Sequence, residues 1–374
     1  MPETILVINS GSSSLKLGLY QPFAGDMQLL FEGLADNIGK DSSKLELKDA
    51  TGKVLRSETT QLTSQDEALT QSTQWLREIS APAPTAVGHR VVHGGPRLTS
   101  HQRITPELLV ELKSVVHFAP LHIPLALELI AAAERTYPSL PQFACFDTAF
   151  HTTIPEVASR FPIPREFFDE GLHRYGFHGL SYESIVHQLG ATLPARIVIA
   201  HLGSGASLCA VKGGRSIDTT MGLTPTGGIP MATRSGDLDP GILLYLMRAK
   251  HMDADALEQL LNHNCGLTAI SGGESDMRNL ETLADGGDRN SQLAIDIFCT
   301  AIRKTIAAYT TELSGLDLLI FSGGIGEHSA GVRSRVCTGL NFLGISIDDS
   351  AKVRVIPSQE DLQIARHCHR LLHP

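Results

Sequence analysis

A Gly- and Ser-rich turn between two apolar runs occurs twice in this chain, about half a chain apart. That repeat restricts the fold more than any other feature. The first copy reads ILVINSGSSSLKLGLY, Ile5 to Tyr20, and the second IVIAHLGSGASLCAVKGGRSIDTT, Ile197 to Thr220. Apolar β-branched runs flanking a tight Gly/Ser turn predict two strands joined by a hairpin. Glycines let a backbone approach a ligand closely, and serine hydroxyls with consecutive N–H groups supply donors for phosphate oxygens. Two such hairpins predict duplicated domains that grip a polyphosphate from both sides. A Walker A loop does not fit, because that motif places Gly-Lys-Ser/Thr between a strand and a helix. Here Lys16 follows the serines, and LKLGLY continues in strand alternation.

At 374 residues the chain exceeds the usual single-domain range, so two domains are expected. The net charge of −9 argues against a general nucleic-acid binder, so any anion site must come from local concentration of Arg, Lys and His. No apolar run approaches the roughly 18 residues that span a bilayer. The opening MPETILVINSG lacks a basic segment and enters a strand at once, so no secretory leader is expected. The six cysteines include no CxxC pair, which suits reduced thiols in a cytoplasm. The histidines show no HExxH or Cys/His zinc spacing, and His367, Cys368 and His369 read as surface residues of a last helix.

Strands are predicted near 4–10, 15–20, 27–34, 43–49 and 53–59, then a helix over 64–79. A short APAPT linker leads into the strand of AVGHRVVHGG. Helices are predicted near 105–117 and 123–136, and QFACFDTAFH reads as a strand running into a loop. RYGFHGLSYESIVHQLG reads as a loop feeding a helix with Ser181 as N-cap. Leu223 to Gly241 reads as a long, mobile functional loop. Helices follow at 240–250, 253–263 and 289–314. DLLIFSGGIGEHSAGVRSRV reads as strand, Gly-rich turn and helix, and a final helix packs back onto the first domain. Strands then helix, strand and helix, occurring twice, predict an α/β layered fold with a cleft between its domains.

Several residues stand out by type and place. Arg90 lies in an apolar strand, where a guanidinium needs an anionic partner, whether a bound carboxylate or phosphate or an internal carboxylate. Arg234, on the Gly-rich loop, is placed to reach a phosphoryl group in flight, or to be anchored by Asp237 or Asp239. Asp147 ends a strand, where active-site carboxylates are often presented.

The segments NSGSSSLK, GHRVVHGG, FDTAFH, RYGFHG, HLGSGAS, ATRSGDLDPG and SGGIGEH occur in this order. Together they resemble the acetate kinase family, of the superfamily of acetate and sugar kinases, actin and heat-shock ATPases, over Ile5 to about Ala365. The resemblance implies two duplicated ribonuclease-H-like, actin-like ATPase domains with the active site between them. We set these at 1–148, completed by a C-terminal helix over 361–374, and at 149–360. It implies reversible phosphoryl transfer from ATP to acetate, giving acetyl phosphate and ADP, with Mg²⁺ or Mn²⁺, in a homodimer, to which the composition adds the expectation of a cytoplasmic protein without nucleic-acid or membrane partners.

Residue by residue, the resemblance makes Arg90 a ligand of acetate and the transferring group and His178 a transition-state stabiliser. It matches Asp147 to the family's catalytic aspartate. Acetate is already ionised at pH 7, since carboxyl groups titrate near ~4. Asp147 is therefore expected to position Mg²⁺ or its water rather than act as a base. Asn9 and Glu360 match metal-associated positions. Ser12, Ser14 and Lys16, then His201, Leu202, Gly203, Ser204 and Gly205, are expected on the nucleotide. So are Asp276, Met277 and Arg278, and Gly324, Ile325, Gly326, Glu327 and His328. Val92, Leu121, Phe177 and Pro225 would line an acyl pocket with His122. The chain departs from the family pattern at Ile123, Ser204 and His328, each in place of Asn. Three other readings stay open: a propionate or butyrate kinase, a pyrophosphate-linked acetate kinase, and a non-enzymatic ATP-switched actin-like protein.

Overall fold

The structure, a computed structural model, describes residues 3–11 and 13–374. Its contacts divide the chain into two compact units, Met1–Ala149 with Gln359–Pro374, and Phe150–Ser358. Among the described residues no helix is long and apolar enough to cross a membrane.

The first unit is built on β1 (Ile5–Ser10), β2 (Leu15–Phe23), β3 (Asp26–Asp36), β4 (Ser43–Asp49), β5 (Val54–Thr60), β6 (Ala86–Val91), β7 (Gln102–Arg103) and β8 (Gln142–Phe146). The sheet order is β5-β4-β3-β2-β1-β6-β8-β7. β1 pairs antiparallel with β2 and parallel with β6, which pairs parallel with β8. As the central strand, β1 is apolar on both faces, and Ile5 to Ile8 are all buried. Leu6, Ile8, Leu17, Leu19, Leu45 and Leu47 pack against Ala68, Leu69, Trp75 and Leu76 of the helix Gln65–Glu78. Ser64 caps that helix by accepting from the Glu67 N–H at 3.2 Å.

The helix Glu360–Leu372 packs on β1, β2, β3, β6 and β8. It crosses β6 at Gly88, where a Cβ would sit 2.5 Å from Cys368 Sγ and 2.8 Å from Ile364 Cγ2. That contact requires glycine. It also corrects the surface reading of the last helix, because His367 and Cys368 are buried. Cys368 packs on Gly88 of β6, and the His367 ring lies against that of His101, centroids 3.9 Å apart.

The second unit repeats the pattern with β9 (Arg196–Leu202), β10 (Ala206–Lys212), β11 (Arg215–Thr219), β12 (Leu318–Ser322) and β13 (Val353–Val355), in the order β11-β10-β9-β12-β13. β9–β10 and β10–β11 are antiparallel, β9–β12 and β12–β13 parallel. Thus β3-β2-β1-β6-β8 and β11-β10-β9-β12-β13 share one topology. Ile197, Ile199, Cys209, Val211, Leu318 and Ile320 form a core with Tyr182, Ile185 and Leu189.

Two local expectations fail here. The helix after RYGFHG starts at Gly179, two residues before Ser181, and His178 holds its cap position in the left-handed region at φ 58°. The earlier start brings Leu180, Ser181 and Tyr182 into the buried first turn. The loop before Pro240 is braced rather than mobile. Asp237 N–H donates to Gly228 O, Gly228 N–H to Asp237 Oδ1, Ala232 N–H to Ser204 O, Cys265 N–H to Thr233 O and Leu267 N–H to Met231 O, all at 2.8–3.1 Å. Gly266 (φ +63°) allows the closest of these approaches, since a Cβ there would meet Met231 O at 2.1 Å.

Candidate active site

In an open sheet the carboxyl ends of parallel strands are the usual place for ligands. The chemistry of the first unit gathers there. Asn9 is near the end of β1, Arg90 near the end of β6, and Asp147 directly follows β8. Arg90 Nη2 donates to Asp147 Oδ2 at 2.5 Å, and Nε donates to both carboxylate oxygens at 3.0 and 3.2 Å. Its Nη1 reaches Ser10 O at 3.4 Å and Asn9 Oδ1 at 3.5 Å. So the anionic partner that Arg90 requires is, within the chain, Asp147, whose side chain is fully buried.

Asn9 turns its amide to the last helix. Nδ2 donates to Asp361 Oδ1 at 2.6 Å and Glu360 Oε2 at 3.3 Å. Lys16 Nζ, opposite Asn9 on β2, lies 2.9 Å from Asp361 Oδ2 and 3.9 Å from Glu32. Burial alone would depress Lys16, but Asp361, Glu32 and Glu360 hold its ammonium above the ordinary value. Burial pushes the Asp147 carboxyl upward, with Arg90 pulling it back. Carboxylates therefore outnumber cations: Asp147, Glu360, Asp361 and Glu32 face Arg90 and Lys16. The set Asn9, Asp147 and Glu360 is made of hard oxygens around excess negative charge, a donor set that fits Mg²⁺ or Mn²⁺. Asp361 is the residue sequence reasoning missed. It sits beside Glu360 in the first turn of the helix, where two adjacent acids look like ordinary dipole partners.

Ser12 lies outside the described residues. Ser14 and Lys16 follow it at the start of the second strand, half-buried. Val92 is half-buried just after β6. Leu121 is exposed, and His122 holds the cap position of the helix Ile123–Thr136.

In the second unit, His178 and Arg234 converge on Gly205. A Cβ on Gly205 would lie 3.4 Å from His178 Nε2 and 3.5 Å from Arg234 Nη1. His178 Nδ1 is 2.8 Å from Ser207 Oγ, which is 2.5 Å from the buried Tyr182 hydroxyl. The His178 ring also lies against His201, centroids 4.6 Å apart. Ser207 and Tyr182 thus fix the ring so that Nε2 points toward the turn. Neither was singled out from sequence, although Ser207 stands two residues past the Gly-rich turn. Arg234 Nη1 donates to Pro225 O at 3.2 Å and touches Met231 Sδ at 3.9 Å. Asp237 and Asp239, its candidate anchors, are engaged elsewhere. Asp237 accepts from Gly228 N–H, and Asp239 caps the helix Pro240–Lys250. Phe177 is buried, and its carbonyl lies 3.0 Å from His151 Nε2.

The turn Leu202–Gly205 is closed by Gly203 N–H donating to Gly205 O at 3.0 Å, and Ser204 is exposed. β12 ends at Ser322, paired with His201, and runs into the short helix Gly323–His328. Gly323 (φ +76°) leaves only 2.7 Å between a Cβ and Leu202 O, so the two turns touch through glycine. Within that helix Glu327 Oε1 accepts from Gly323 N–H at 3.0 Å. Gly324 and His328 are exposed, Ile325 is half-buried and Gly326 buried. Asp276 caps the helix Met277–Asp285 and binds the Arg278 guanidinium at 2.6 Å, which takes its carboxyl down to about 2. Arg278 is exposed, whereas Met277 is buried.

A family model described as the acetokinase family matches residues 4–366. An acetate kinase of Rhodopseudomonas palustris is 40% identical over 398 residues, covering 99% of both chains. A propionate kinase of Citrobacter rodentium is also 40% identical, over 396 residues, covering 99% of this chain and 97% of that one. The crystal structure of a propionate kinase from Francisella tularensis subsp. tularensis superposes with a TM-score of 0.90 at 35% identity, covering 98% of each chain.

Proposed function

This chain belongs to the acetokinase family, and from that premise we propose that it transfers the γ-phosphoryl group of ATP to acetate, reversibly, giving acetyl phosphate and ADP. The observation that carries this reading is the pairing of Arg90 with the fully buried Asp147 at the strand ends of the first unit. It holds a planar cation ready for a carboxylate or phosphoryl group.

Acetate needs no base, so the residues have two tasks: to orient the acceptor and to neutralise charge on the transferring group. Arg90 and Lys16 in the first unit, and His178 and Arg234 in the second, are the cations and donors proposed for it, in a direct in-line transfer. Asn9, Asp147 and Glu360 would hold Mg²⁺ or Mn²⁺, which when bound offsets phosphate charge. Ser12, Ser14, His201 to Gly205, Asp276 to Arg278 and Gly324 to His328 are assigned to ATP. Val92, Leu121, His122, Phe177 and Pro225 are assigned to the acyl group. A cytoplasmic homodimer completes the reading. Exposed Ile242, Leu244, Tyr245 and Met247 on the helix Pro240–Lys250, which buries none of its residues, support a second copy as the partner.

Propionate as acceptor is a second reading, favoured by propionate kinases among relatives at the same identity. One methylene is worth about 1–3 kcal/mol of discrimination. Hydroxylamine trapping of acyl phosphate tests both, with acetate, propionate and butyrate each against ATP, GTP and pyrophosphate. Acetate with ATP is expected to give the strongest signal. Signal only with a longer acid or only with pyrophosphate would move the substrate, and none from folded protein would remove the kinase reading.

A further inference from the structure

Away from the residues above, Glu3, just before β1, meets two histidines at the C-terminal end of the last helix, His369 within it and His373 at its cap. Glu3 Oε1 lies 2.6 Å from His369 Nδ1, and Oε2 lies 2.6 Å from His373 Nε2. His369 lies in the last turn of the helix Glu360–Leu372 and His373 is its C-cap residue, with φ −127° and ψ 65°, so both rings sit at the helix's C-terminal end. Their rings meet edge to face, centroids 5.1 Å apart. One ligand atom from each of the three lies within 4.8 Å of the others. None of the three has a part in the phosphoryl chemistry.

We propose that Glu3, His369 and His373 form a two-histidine, one-carboxylate site for a borderline divalent metal, Zn²⁺ above all, that ties the last helix to the strand β1. Two imidazoles and a carboxylate with an outward side open to water are a zinc donor set. Imidazole is a poor ligand for Mg²⁺, so this site and the hard-oxygen set around Asn9 select different ions. Zinc–nitrogen bonds of about 2.0–2.1 Å place neighbouring ligand atoms about 3.3 Å apart. The two 2.6 Å contacts would therefore open by under about 1 Å, within reach of side-chain rotation. The last-turn carbonyls of the helix carry partial negative charge and favour a cation at this end. Three protein ligands and partial exposure make the site exchangeable rather than permanent, since closed structural zinc sites use four.

The consequence is mechanical. The same helix presents Glu360 and Asp361 at its other end, and an ion at His369 and His373 would fasten it to the first strand. Ligand binding to the folded state alone raises stability by mass action.

The test uses the full chain without a histidine tag, stripped with EDTA and dialysed. Isothermal titration with ZnCl₂ alone, the thermal midpoint with and without Zn²⁺, and histidine-ring NMR are read together. One saturable equivalent is expected, with a rise in midpoint and shifts of the His369 and His373 rings. His373→Ala is expected to weaken binding at least tenfold and abolish the zinc-dependent rise while the apo midpoint stays near that of the parent. His251→Ala, on an exposed helix end of the second unit, serves as a control and is expected to change neither. Absence of saturable binding by the parent chain, or unchanged binding by both His369→Ala and His373→Ala, would overturn the site and leave the cluster a hydrogen-bonded clamp.

Discussion

The two units carry one topology and opposite site chemistry. In the first, the candidate site groups are charges locked into ion pairs on strands and a helix: Arg90 with Asp147, Lys16 with Asp361, and Asn9 bridging to Glu360 and Asp361. In the second, the imidazole of His178 is fixed by the neutral hydroxyls of Ser207 and Tyr182, and Arg234 leans on a backbone carbonyl from a braced loop. The difference is one of coupling between fold and chemistry. Removing a charge from the first network strands another charge in a buried place, which is costly. Arg234 donates to the neutral carbonyl of Pro225, and losing such a bond costs less than stranding a buried charge.

That contrast can be broken most directly at Arg90. Arg90→Ala is expected to lower acyl phosphate formation on the order of 10⁴-fold and to destabilise the protein by roughly 3 kcal/mol. Turnover and urea unfolding measure the two effects. A folded variant with near-normal turnover would remove Arg90 from the chemistry. Next comes Arg234→Ala, for which a loss of about a thousandfold is expected with the unfolding midpoint almost unchanged. A large drop in that midpoint would show that the second unit couples its site to its fold as the first does.

Ser207→Ala sharpens the comparison at a smaller scale. The loss of the hydroxyl frees the His178 ring and leaves the Tyr182 hydroxyl buried, so turnover should fall roughly tenfold and stability by about 1–2 kcal/mol. Ser207→Thr should restore most of the turnover, and failure to do so would argue that packing rather than the hydroxyl matters.

The smallest effect on turnover concerns acid stability. Two buried histidines are held neutral: His89 beside Gln142 in the first unit, and His151 between Ser216 and the Phe177 carbonyl in the second. Burial takes each down to about 4. The unfolded chain, with imidazoles near about 6.5, binds more protons between these values, so stability is full above that range and falls as the pH drops through it. Each histidine contributes up to roughly 3 kcal/mol of this loss. His89→Gln and His151→Gln should each flatten the slope of unfolding free energy between about pH 6 and 4 by about one proton. Unchanged slopes would mean that neither ring is held neutral.

Much of this was legible in the sequence, for local reasons. The hairpins of Ile5–Tyr20 and Ile197–Thr220 announce themselves by β-branched alternation around Gly and Ser, and both form. The need of Arg90 for an anion follows from an Arg among apolar neighbours, although nothing local says that Asp147, reached only through sheet pairing, would meet it. Asp361 and Ser207 were hidden for the same reason, since their partners Asn9, Lys16 and His178 are distant in the chain. The start of the helix at Gly179 was misread because a non-glycine residue in the left-handed region, His178, has no sequence signature. The bracing of the Leu223–Gly241 loop was hidden because Gly and Pro mark turns without saying what their backbone groups bind.

Transfer of the γ-phosphoryl group of ATP onto acetate by this chain is tested most directly by phosphorus NMR of the wild-type chain with ATP, acetate and Mg²⁺. The acetyl phosphate resonance is expected to grow in step with that of ADP, and neither to grow without acetate. ADP appearing with inorganic phosphate and no acyl phosphate, from folded protein, would contradict it.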